Sequence, residues 1–110
     1  MRAEDRRQAH RKVLHVPAVL HVPGLAPIEL RTLDFGSDGL CAAAAVAVAS
    51  NSKCTIVLHL PQPQGAAQCL ELPARVVYSV FSTTHGVKIG LHFLSPSAHA
   101  QAALNRYVAG

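Results

Sequence analysis

The feature that most constrains this chain is a run of short apolar or alternating segments, each closed by a turn signal after about eight to twelve residues. Residues 27 to 35 read PIELRTLDF, with Ile28, Leu30 and Thr32 on one side and Glu29, Arg31 and Leu33 on the other. That two-residue period is the mark of a half-buried antiparallel strand. Val13 to Val22 is apolar and β-branched but broken by Pro17, which suits an edge or a bulge. Pro23-Gly24 marks a turn, and Gly36-Ser37-Asp38-Gly39 another, rich in residues that tolerate positive φ. Leu40 to Ala49 is mostly alanine; helix remains an alternative there, but flanking strands and the Ser50-Asn51-Ser52 turn favour a small-residue strand. Cys54–Leu60 reads as a strand. Cys69–Phe81 reads as a long one bent at Pro73, and Val87–Leu94 as a last one, whose Gly90 signals a bulge or a close backbone approach. Ser95-Pro96 has the form of an N-cap and first helical residue. Ala100, Ala103, Leu104, Tyr107 and Val108 then fall on one helical stripe, so a helix is predicted over about 96–108. The expected fold is mainly β, a six-stranded antiparallel barrel with a C-terminal helix, since closure removes sheet edges.

Charge is distributed unevenly. The 110 residues carry a formal net charge of +4, and Arg2, Arg6, Arg7, Arg11 and Lys12 against Glu4 and Asp5 place +3 of it in the first twelve. We therefore divide the chain into a flexible basic arm, 1–12, and a barrel domain, 13–110. Such an arm points to an anionic partner. No run of apolar residues is long enough to cross a membrane, and the N-terminus lacks the apolar stretch of a signal peptide, so membrane insertion and export are not expected. The odd cysteine count (Cys41, Cys54, Cys69) without a CxxC pair argues against disulfides and zinc, and fits a cytoplasmic protein. The seven histidines are scattered; His15 and His21 have the even spacing of one strand face, but solvated histidines suit that pattern better than a metal site. No nucleophile elbow, phosphate loop or HExxH occurs, so neither catalysis nor a bound cofactor is expected.

Two local features remain. Arg6 and Arg7 lead into Arg7-x-x-x-Arg11, and Asp34-Phe35-Gly36-Ser37-Asp38-Gly39 ends the second long strand segment. Guanidinium forks bind phosphates and guanine acceptors and stack on bases; a carboxylate accepts from guanine's Watson–Crick donors; glycines admit a ligand close to the backbone. These residues also read blandly, as solvated terminal charges and an Asx turn. Arg31 and Arg75, both on strands, extend a ligand face or are plain surface charges.

Arm and turn together resemble the PilZ domain, a bacterial family that binds cyclic di-GMP through an RxxxR arm followed some twenty to thirty residues later by [D/N]xSxxG. Ile89-Gly90-Leu91-His92-Phe93, Leu104-Asn105-Arg106-Tyr107-Val108 and Ala74-Arg75-Val76-Val77 are similar to further family segments. The resemblance implies a stand-alone cyclic di-GMP receptor whose ligand contacts are Arg6, Arg7, Arg11, Asp34, Gly36, Ser37 and Gly39. It also implies signalling to a downstream protein in motility, pilus, exopolysaccharide or biofilm control. Gly36 stands where the family has serine, which removes one hydrogen bond of about 0.5–1.5 kcal/mol, a threefold to tenfold loss of affinity. Two other classes compete: an adaptor of this fold that binds protein and no nucleotide, and a nucleic-acid binder using the arm. Low aromatic content and the lack of a stacking array disfavour a nucleic acid polymer. The oligomeric state, including a homodimer, stays open.

Overall fold

The computed structural model describes residues 12–62 and 65–109. The arginines of the arm, Arg2 to Arg11, lie outside the described residues. Among the described residues seven strands and one helix follow in chain order: β1 (Lys12–Val13), β2 (Pro17–His21), β3 (Ile28–Phe35), β4 (Gly39–Ala44), β5 (Lys53–Leu60), β6 (Gln68–Ser82), β7 (Gly86–Phe93) and α1 (Ala98–Ala109). All pairings are antiparallel. Strands run β3-β2-β5-β6-β7-β4, and β4 returns to β3, closing a six-stranded barrel; β1 is an extra strand on β3. The interior is lined by alternate residues such as Leu20, Leu30, Ile56, Leu58, Leu70, Leu72, Val76 and Ile89. The helix lays Ala100, Ala103 and Leu104 into that core, with Tyr107 and Val108 packed beside it.

Several sequence expectations are corrected. The alanine-rich segment is a strand only to Ala44; residues 45–52 are irregular and run along β6. There the Val48 amide donates to Ser79 Oγ at 3.1 Å, and the Asn51 amide donates to the Val76 carbonyl at 2.7 Å. Strand β6 is unbroken through Pro73, whose carbonyl accepts from Leu94 just past the end of β7. A residue's amide and carbonyl point to the same side of a strand, so the missing N–H faces a gap in the ladder. The irregularity lies instead between Val76 and Tyr78. The helix is capped by Ser97, not Ser95: Ser97 Oγ accepts from the Ala100 amide at 3.1 Å, while Ser95 holds φ 45° in the connection before it.

Gly90 meets its expectation of a close approach. A Cβ there would lie 2.2 Å from Tyr78 Cε2, because the Tyr78 ring crosses it. The Tyr78 hydroxyl then reaches Cys41 Sγ at 3.3 Å, stapling β6, β7 and β4 on the outer surface. Cys41 and Cys54 are buried, Cys69 is exposed, and all three are free; burial pushes the Cys54 thiol's pKa up.

Among the described residues Thr32 is the single buried polar side chain, with no exposure. Its hydroxyl donates to the Leu14 carbonyl and accepts from the Val16 amide at 2.9 Å. The Thr32 amide donates to the Val16 carbonyl at 2.9 Å. These bonds occupy the break between β1 and β2, where the ladder would otherwise lapse.

Thr32→Val keeps the shape and removes both hydroxyl bonds, leaving two polar backbone groups unmatched. Destabilisation of about 2 kcal/mol is expected in urea unfolding, with Thr32→Ser close to wild type. Gly90→Ala forces the Tyr78 ring aside and is expected to cost about 1–3 kcal/mol. In a Tyr78→Ala background the same substitution costs clearly less, and a double-mutant cycle by denaturation reads the difference.

Candidate functional site

The 34–39 segment is the β3–β4 hairpin that closes the barrel. Its turn is fastened by the Gly36 amide donating to the Gly39 carbonyl at 2.8 Å, and by the Phe93 amide donating to the Asp38 carbonyl at 2.9 Å. The glycine at 39 is required for space and not for positive φ, contrary to the sequence expectation. Its backbone lies outside the left-handed region, and a Cβ would strike the Leu91 carbonyl oxygen at 2.2 Å.

A bulge in β3 sets the orientation of Asp34. Leu30 and Thr32 face the interior, so strict alternation would carry Asp34 inside as well. The register shifts between Thr32 and Asp34. One extra residue exchanges the faces. Phe35 becomes the fully buried residue, and Asp34 stays half-buried and is not without a partner. Phe35 anchors the turn from below, against Phe93 at 5.9 Å between ring centroids and against Tyr107 of α1 at 5.8 Å.

Strand β1 lies beside this hairpin. In the ladder Lys12 is opposite Phe35 and Val13 opposite Asp34. Lys12, the last residue of the arm, is therefore seated beside the hairpin. The Lys12 ammonium sits 5.4 Å from the centre of the Tyr107 ring, a cation–π contact that ties this entry point to the helix. Of the residues predicted for the site, Asp34, Gly36, Ser37 and Gly39 lie together in the hairpin; Arg6, Arg7 and Arg11 lie outside the described residues. Arg31 is exposed on β3, opposite Ala43 and Pro17, and Arg75 is exposed on β6.

Sequence reading missed a row next to the hairpin. Gly39 is opposite His92, His92 opposite Arg75, and Arg75 opposite Lys53. Direct cross-strand partners share a face, and His92, Arg75 and Lys53 are all exposed on the outside of the barrel. Lys53, Arg75 and His92 are 14, 36 and 53 positions from Gly39 along the chain, so only the strand register brings them into line. No cluster of three or more metal-ligating side chains occurs among the described residues, and His15 and His21 are simply exposed.

Comparison with known proteins places this geometry. The family model described as PilZ domain matches residues 5–110. No curated protein matches the sequence. Among solved structures, the Bacillus subtilis inhibitor of motility MotI/DgrA superposes with a TM-score of 0.79 at 17% identity, covering 90% of this chain and 47% of that one. Escherichia coli YcgR in complex with c-di-GMP gives 0.71 at 15% identity, over 90% and 42%. The PilZ domain of CeSA from a cellulose-synthesizing bacterium gives 0.66 at 16% identity, over 92% and 96%. The chain thus spans under half of MotI and YcgR but nearly all of the isolated CeSA domain, and at these identities the likeness is one of fold. With a family match over almost its full length, the chain belongs to the PilZ domain family.

Proposed function

We propose that this PilZ domain is a cyclic di-GMP receptor, its ligand held between the N-terminal arm and the β3–β4 hairpin. One observation carries the reading: the β1–β3 ladder sets Lys12 and Val13 against Phe35 and Asp34, so the arm leaves the barrel beside the second motif. Arg7 and Arg11, with Arg6, supply guanidinium forks for the two phosphates and the guanine edges. Asp34 accepts from a guanine. Ser37 is the half-buried residue of the turn and offers its hydroxyl to the ligand, while Gly36 and Gly39 let the turn fold tightly, Gly39 against the Leu91 carbonyl. The complex of YcgR with c-di-GMP, a structure of the same fold, supports the choice of ligand.

The signal follows from where the arm is rooted. Gathering the arm over a dianion fixes a segment next to Lys12, and Lys12 touches Tyr107 of α1. Ordering of the arm therefore reaches the helix, which offers its outer side to a downstream protein. Catalysis has no place in this scheme, because the residues proposed here only bind.

Calorimetric titration with cyclic di-GMP tests the reading. Wild type is expected to give saturable heat, and Arg7→Ala/Arg11→Ala to give none over the same range; equal heats, or none from wild type, would contradict it. Gly36→Ser restores the hydroxyl of the family pattern and is expected to tighten binding about threefold to tenfold in the same titration.

A further inference from the structure

The row on the outer surface sets two like-charged side chains, Lys53 and Arg75, opposite each other, with His92 beside them. Lys53, Arg75 and His92 are neighbours on three adjacent strands, β5, β6 and β7. Cations directly opposite one another destabilise a sheet. Among the described residues none of the three has an ion-pair partner. Three acids surround the row: Glu71 lies four residues before Arg75 on β6, about 13 Å along the strand, Asp38 directly precedes Gly39 with its carbonyl bonded to the Phe93 amide, and Asp34 lies opposite Cys41 in the adjoining row. Lys88 lies four residues before His92 on β7. The Tyr78 ring, lying across Gly90, borders the row on its inner flank. At the other end the row meets Gly39, where the missing Cβ lets β4 press onto Leu91. At about 4.8 Å between strands, Gly39 to Lys53 spans roughly 14 Å.

Resting on the receptor reading above, we propose that Lys53, Arg75 and His92 form a second anion-contacting row. The cyclic dinucleotide then extends from the 36–39 turn outward across β7 and β6, with a phosphodiester against this row. It does not turn back over β3 and β2, where Arg31 lies. Arg75 presents a planar fork to phosphate oxygens, His92 an imidazole N–H, and Lys53 a point charge at the far end. An anion placed there relieves the repulsion that the free barrel carries.

Calorimetry with cyclic di-GMP on Arg75→Gln and His92→Gln tests it, with Arg31→Gln and Lys88→Gln as surface-cation controls away from the row. Each row variant is expected to bind about threefold to tenfold more weakly at unchanged stoichiometry, and each control within twofold of wild type. All four positions are surface residues, and far-UV circular dichroism checks each fold. Wild-type binding with unaltered affinity in both row variants would overturn the row and leave the receptor reading standing. An Arg31→Gln loss as large as that of Arg75→Gln would overturn the direction of the ligand. Absence of wild-type binding would overturn the receptor reading and this inference with it.

Discussion

The hydroxyl of Thr32 fixes where the N-terminal chain joins the barrel, and the candidate site depends on that joint. A polar side chain with no exposure is tolerated only when its bonds are made. Here they are made to Leu14 and Val16, the residues between β1 and β2. With those residues seated, β1 lies along β3 in one register, and Lys12 and Val13 face Phe35 and Asp34. Two residues beyond Thr32 the bulge turns Asp34 out and Phe35 in. One strand thus holds the joint, the buried anchor and the carboxylate within four residues, and an error in any one displaces the others.

Closure of the barrel supplies the second constraint. A short chain gains by hiding its sheet edges, and β4 does this by pairing with both β3 and β7. Its small side chains belong to that position: Ala42 and Ala44 face the interior, and Gly39 lets β4 press against the Leu91 carbonyl. The hairpin carrying the second motif is therefore part of the closure and not an appended loop. Phe35, Phe93 and Tyr107 support it from within, and the contact from Tyr107 to Lys12 links the helix to the entry of the arm.

Period-two alternation and glycine or proline turns made the strands of this barrel legible, and the helical stripe from Ala100 to Val108 matched the buried face of α1. What stayed hidden was non-local or depended on a single residue of register. The alternation through Thr32 gives no warning of the bulge that follows it. Two serines, 95 and 97, present equivalent capping chemistry, and choosing between them depends on how the chain leaves β7. Pro73 looks like a bend until the neighbouring strand is seen to end beside it. The motif residues of the hairpin could be named from the chain, whereas the alignment of His92, Arg75 and Lys53 with Gly39 exists only through three strand registers.

In the proposed receptor the root of the arm and the β3–β4 hairpin are two walls of one nucleotide site. Amide chemical-shift mapping during titration with cyclic di-GMP tests it most directly. Lys12, Val13 and the segment from Asp34 to Gly39 are expected to shift together, along one saturation curve. Shifts confined to one wall, or centred on the distant 45–52 segment, would contradict it.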